Sequence, residues 1–225
     1  MTTNFMVAAH IRNQDYWTWA PQMDVIANDH YLDHRLDAPL AELAFAADTT
    51  RGLAQGRPWL LMEHSTGAVN WQPRNIAKGP GEMLRNSLAH LARGADGLCF
   101  FQWRASLQGS EKFHSAMVPH AGTDSQIWRD VVELGSSLGK LRELAGTTVH
   151  AEVAFVFSWE AWWAHTTRTR IRPATCGTSS RSMPRTGRSG MPASPSTSCL
   201  PARTSPPTGS WWSRTSTWSA TSTRP

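Results

Sequence analysis

"PWLLMEHSTGAVNWQPRN", residues 58–75, joins a short apolar run to a polar loop. The run "PWLLME" (58–63) is bounded by turn residues and predicts a buried strand. It ends on a carboxylate, Glu63, and an indole, Trp71, follows eight residues later. A buried strand that gives way to a loop of functional side chains suits parallel α/β architecture, where sites form at the C-terminal ends of strands.

The same pattern recurs on both sides. "TTNFMVAA" (2–9) and "DVIANDHY" (24–31) predict two earlier strands, and "GLCFFQWR" (97–104) a fourth. "YWTWAPQ" predicts a short helical turn. "DAPLAELAFAADTTRGLAQG" reads as a helix, with Asp37 as a candidate N-cap, Pro39 in its first turn and Gly56 past its end. "GPGEMLRNSLAHLARGADG" places Leu84, Leu88 and Leu91 at helical spacing and stops at Gly94. "DSQIWRDVVELGSSLGKLREL" is a third amphipathic helix, capped by Asp124 or Ser125. "AEVAFVFSW" (151–159) predicts a fifth strand. Strands alternating with helices argue for a parallel α/β fold, either part of a (βα)8 barrel or an open sheet. No GxGxxG follows a strand, which argues against nucleotide binding.

The 225-residue chain carries a formal charge of +5, but that charge is unevenly placed. Up to residue 164 there are 13 Lys+Arg against 17 Asp+Glu; from His165 onward there are nine Arg, no Lys and no acid. The basic character belongs to the tail and the body is mildly acidic, which removes most of the case for nucleic acid or an anionic membrane as a partner of the body. Cys99, Cys176 and Cys199 have no CxxC spacing, so neither a zinc knuckle nor a disulfide framework is expected. Cys99, within "GLCFF", reads as a buried small hydrophobe. No apolar run is long enough for a membrane span and no signal-peptide pattern opens the chain, so a cytoplasmic protein is expected.

Glu63 admits two readings from its position: a rim carboxylate in a salt bridge, or one of the two carboxylates that glycoside hydrolysis requires. Trp71 is either a loop-packing indole or a platform for the C–H face of a sugar. "SEKFH" places Glu111 and His114 three apart. They could bind a metal, hydrogen-bond sugar hydroxyls or form a surface ion pair, and two ligands without a third make a weak metal signal.

Taken together, "TTNFM", "DVIANDHY", "LLMEHSTGAVNWQPRN", "GADGLCFFQWRASLQGSEKFHSAMVPHAG" and "AEVAFVFSWEAWWA" resemble glycoside hydrolase family 42, the bacterial β-galactosidases, over about residues 2–164. The resemblance implies an α/β fold comprising the C-terminal half of a (βα)8 TIM barrel, strands five to eight. One strand of a further α/β domain would follow, then a disordered tail. Its domains are then 1–147 (partial barrel), 148–164 (start of a trimerisation domain) and 165–225. It implies Glu63 as the catalytic nucleophile of a retaining mechanism, with Trp71, Phe101, Glu111 and His114 lining the galactose subsite. The expected substrate is a β-galactoside or galacto-oligosaccharide. No cofactor and no metal are expected, and neither nucleic acid nor membrane is an expected partner. The family is homotrimeric, but the trimerisation domain is represented only by its start. The family's acid/base glutamate lies in an Asn-Glu pair, and no such pair occurs in this sequence. Activity of the chain alone is therefore expected to be low or absent, with a non-catalytic galactoside-binding remnant as the alternative.

The tail "HTTRTRIRPATCGTSSRSMPRTGRSGMPASPSTSCLPARTSPPTGSWWSRTSTWSATSTRP" has one Ile, one Leu and no Val. Such a composition buries too little apolar surface to order itself. An Arg-rich arm binding nucleic acid is one reading. Out-of-frame translation of GC-rich codons is the other: "Trp211-Trp212", shifted by one base, can encode Leu-Val-Val. An internal start at Met1 is the matching expectation for the other end.

Overall fold

The computed structural model describes residues 1–8, 10–168 and 212–215. Strands β1 (Asn4–Phe5), β2 (Ala27–His30), β3 (Trp59–His64) and β4 (Ala95–Leu98) form one sheet in sequential order, every neighbouring pair parallel. Helices α1 (Tyr16–Trp19), α2 (Pro39–Leu53), α3 (Glu82–Leu91) and α4 (Gln126–Gly139) follow the four strands in turn. Sequential parallel strands joined by helical crossovers are consecutive βα units, the repeat of a barrel wall.

The first three sheet strands lie within or against the stretches the sequence assigns them, the first two being shorter. In contrast, β4 begins two residues before its expected start and ends at Leu98, so "CFFQWR" belongs to the loop above the sheet. Each ends as its chain turns into the loops above the sheet. Two of the four helices start from side-chain caps. Asp15 accepts the Trp17 N–H at 2.9 Å to open α1, and Ser125 accepts the Trp128 N–H at 3.3 Å to open α4. Asp37 does not cap α2. The N-cap is Ala38, and Pro39, which has no N–H to satisfy, opens the helix instead.

The core sits between the sheet and its helices. Phe5, Ile26, Trp59, Leu61 and Ala95 from the sheet side pack with Tyr16, Ala46, Ala47 and Leu53. Trp59 is wholly buried, and its indole N–H donates to Arg93 O at 3.3 Å. A charged link ties α2 to the end of α3. Buried Asp48 is bonded to Arg51 at 2.9 Å and to Arg93 at 2.7 Å.

Cys99 is exposed rather than buried. It lies one residue beyond β4, which has a single sheet neighbour, so it meets solvent instead of a packed layer. Strand β5 (Val153–Val156) is confirmed but exposed along its length. It pairs antiparallel with β6 (Trp212–Thr215), a short element within the tail where the sequence predicts none. An exposed strand edge offers unpaired backbone groups, and β6 satisfies them on one side. The rest of the tail, including its proposed frame change, lies outside the described residues. Trp159, at the start of α5 (Trp159–Arg168), is buried against Tyr16, Trp17 and Phe157 at ring distances of 5.4, 5.4 and 4.7 Å, which anchors this segment to the core. Among the described residues, no helix is long and apolar enough to cross a membrane.

Candidate active site

Simple alternation along β3 would put Glu63 on the same side as the core residues Trp59 and Leu61. The register prevents this. Asn28 lies opposite Leu61, but its successor Asp29 lies opposite Glu63, so β3 contains one extra residue, Met62. A bulge of this kind re-aims the residues that follow it. Glu63 joins Asp29 on the face that opens to the loops, and His64 joins His30 on the face that packs against α3.

Glu63 lines a cavity of about 360 Å³ with Met6, His10, Tyr31, Trp71, Phe101, Glu111 and His114. That volume lies in the usual range for a small-molecule site. All five residues singled out in the sequence therefore surround one space, and β1 to β4 or the loops after them supply every wall. Tyr31 Oη donates to Glu63 Oε2 at 2.7 Å, and Asn4 Nδ2 donates to Oε1 at 3.3 Å. Burial, followed by the hydrogen bond to Glu63, raises the Tyr31 hydroxyl well above its ordinary value, so it remains a donor.

The aromatic groups form a connected wall. Tyr31 meets Trp71 edge-on at 5.5 Å and His114 at 5.7 Å, and Phe101 meets His114 at 4.9 Å. Trp71 is 46% exposed, so its ring is open to a ligand. His114 is buried, and its Nδ1 donates to Ser115 O at 2.9 Å, which leaves Nε2 as an acceptor. Glu111 Oε2 accepts from Asn70 Nδ2 at 3.4 Å. Glu111 and His114 thus face the same cavity as hydrogen-bonding groups, each with a neighbour that orients it.

Tyr31, Asn4, Asp29 and His10 were not singled out as site residues in the sequence. The signal for two of them was the polar run "NDHY" at the end of β2, where a buried strand turns to functional side chains. Asn4 gave no signal, because its role depends on β1 lying beside β2.

Asp29 is buried, and its carboxyl is pushed up to about 7, by burial first and by the charge of Glu63 second. An unfolded aspartate titrates at roughly 3.9. Between those values the folded chain keeps a proton that the unfolded chain has released, so stability falls as pH rises through this window. Asp29→Asn removes that loss. The parent's melting temperature should decline from about pH 5 to about pH 7.5 relative to the variant's. Parallel profiles for the two proteins would show that Asp29 is not perturbed.

The sequence matches the profile of a family described as Beta-galactosidase (Glyco_hydro_42) over residues 1–141. A beta-galactosidase of an Arthrobacter species is 61% identical over 163 residues, covering 72% of this chain and 24% of that protein. Beta-galactosidase BbgII of Bifidobacterium bifidum is 52% identical over 167 residues, covering 73% and 24%. Among solved structures, a catalytic mutant of Gan42B, a GH42 beta-galactosidase from G. stearothermophilus, superposes with a TM-score of 0.69 at 38% identity. It covers 72% of this chain and 25% of that one. The cold-adapted beta-galactosidase from Rahnella sp. R3 gives 0.67 at 41% identity, covering 73% and 25%. The chain thus spans about a quarter of the length of the relatives it matches.

Proposed function

This chain belongs to glycoside hydrolase family 42, the beta-galactosidase family, with a sheet that corresponds to part of a TIM barrel, and on that premise we propose that its cavity is a β-galactoside site in which Glu63 is the nucleophile. The observation that carries this reading is the position of Glu63. The acid stands at the tip of β3, fixed by Tyr31 and Asn4, in a cavity walled by Trp71, Phe101, Glu111 and His114.

Tyr31 holds Oε2 with a short bond, whereas Asn4 holds Oε1 loosely. Oε1 is the oxygen freer to attack an anomeric carbon, and Tyr31 keeps the carboxylate plane from rotating. Attack forms a glycosyl ester while the aglycone oxygen leaves, and water then cleaves the ester with net retention. Trp71 offers an indole face to the apolar side of the pyranose, and Glu111 and His114 accept hydrogen bonds from its hydroxyls. The other carboxylate lining the cavity is Glu111, which we assign to sugar binding because Asn70 engages it from the loop after β3. Protonation of the leaving group is therefore the weak step, and the chain alone binds β-galactosides better than it hydrolyses them. We place the barrel portion at residues 1–147 and the start of a following domain at 148–164.

Calorimetric titration with methyl β-galactoside tests the assignment of the cavity. Saturable binding should be weakened roughly tenfold by Trp71→Ala, which is ~1.4 kcal/mol. Methyl β-glucoside, with its 4-hydroxyl inverted, should bind more weakly. Binding that is absent, or unaffected by Trp71→Ala, counts against the reading.

A further inference from the structure

Behind the cavity, on the opposite face of the same two strands, three histidines meet. His30 of β2, His64 of β3 and His90 of α3 are essentially inaccessible to solvent. The His90 ring lies 4.9 Å from that of His30 and 5.7 Å from that of His64. One ring nitrogen from each lies within 4.8 Å of the other two.

Their hydrogen bonds determine which nitrogens carry protons. His64 Nδ1 lies 3.0 Å from His30 O, and a carbonyl can only accept, so Nδ1 carries the hydrogen and Nε2 keeps a lone pair. His30 Nε2 lies 2.8 Å from Glu42 Oε2, so it donates to the carboxylate and Nδ1 is the lone-pair nitrogen. Those two lone-pair nitrogens, and both nitrogens of His90, are buried without a protein partner.

Buried polar atoms are ordinarily hydrogen-bonded, so a cluster of four unpaired ring nitrogens points to an occupant. We propose that His30, His64 and His90 form a three-imidazole site for a divalent transition-metal cation of the zinc type. Neutral imidazoles suit such an ion, and a second hydrogen bond from each ligand ring to a carboxylate or a carbonyl is the usual support for it. Glu42 and the His30 carbonyl supply that support for two of the three rings. Bonds of roughly 2.0–2.1 Å in tetrahedral geometry bring ligand nitrogens to roughly 3.4 Å apart. Closing the nitrogens to that spacing calls for turns about χ2, a soft torsion.

Asn86 and Ser87 share a face of α3 with His90 and also carry buried, unpartnered polar atoms, Asn86 Nδ2 and Ser87 Oγ. They are placed to hold a water as fourth ligand. Lys78 is the opposing charge nearby, and its Nζ is tied to Ser65 O and Oγ. Glu42 brings the compensating negative charge through His30. Such an ion would clamp β2, β3 and α3 together directly behind Glu63 and take no part in the chemistry.

The test uses the full chain, stripped with a chelator and then titrated with Zn²⁺ or Co²⁺. One equivalent should bind, Zn²⁺ should raise the melting temperature, and Co²⁺ should show tetrahedral visible absorption without a thiolate charge-transfer band. His90→Gln should abolish stoichiometric binding and the thermal shift. Glu42→Gln, at a partly exposed position, should leave the fold intact and weaken affinity about 10–100-fold. If His90→Gln does not fold, Glu42→Gln decides alone. No bound ion, binding unaltered in Glu42→Gln, or a thiolate band from cysteine ligation overturns the proposal; in that case ordered water fills the cluster.

Discussion

An aryl β-galactoside whose aglycone leaves as a stable phenolate should be cleaved by this chain far faster than an alkyl β-galactoside. The expected discrimination exceeds that of a retaining glycosidase that has a general acid in place by ~10²–10⁴-fold, the usual worth of general acid catalysis. The reason is local to the cavity. Glu63, the proposed nucleophile, is held by Tyr31, whereas Glu111, the other carboxylate lining the space among the described residues, is engaged by Asn70. A substrate that supplies its own leaving-group stability needs no proton at that oxygen. The measurement is initial rate against leaving-group pKa over a series of galactosides. A steep dependence is expected, and a flat one would mean that a general acid is at work in the pocket.

Trp59→Ala should destabilise the fold by ~3–5 kcal/mol, the range for removing a large aromatic from a core. Trp59 sits at the start of β3, between two other strands, with no solvent exposure, and it packs edge-on against His90 at 6.0 Å. Truncation leaves a cavity at the sheet–helix junction and orphans Arg93 O, the acceptor of its indole N–H. Trp71→Ala provides the contrast, because that indole is 46% exposed and its loss should change stability by less than about 0.5 kcal/mol. Denaturant unfolding of both variants, compared at equal slope, separates them. Two tryptophans twelve residues apart thus have opposite expected signatures: one affects folding and the other affects binding. Equal destabilisation by both substitutions would contradict the placement of β3 in the core.

The strand–helix order was legible because each strand is a short apolar run and each helix carries a start or stop residue. Ser125 illustrates this, since its position before an amphipathic run predicted a cap and its side chain supplies one. The orientation of Glu63 was not legible. Period-two reading from Leu61 would turn it toward the helices, and only the register with β2 shows the extra residue at Met62 that turns it to the cavity. Burial of Cys99 was inferred from apolar neighbours, but burial depends on the sheet edge, which sequence does not show. Tyr31 and Asn4 reach Glu63 from 32 and 59 residues away, across strand neighbours that no local pattern specifies. The histidine cluster is hidden for the same reason: its three members come from two strands and a helix, with no ligand spacing along the chain.

The central claim is that Glu63 forms a covalent bond to galactose, and a 2-deoxy-2-fluoro-β-galactoside with an activated leaving group tests it most directly. The fluorine slows hydrolysis of the ester, and the leaving group needs no acid, so the intermediate should accumulate on the intact chain. Mass spectrometry should find one 2-fluorogalactosyl group per chain, on the peptide containing Glu63, and none after Glu63→Gln. An unlabelled chain, a label on another residue or a label that survives Glu63→Gln would contradict the account.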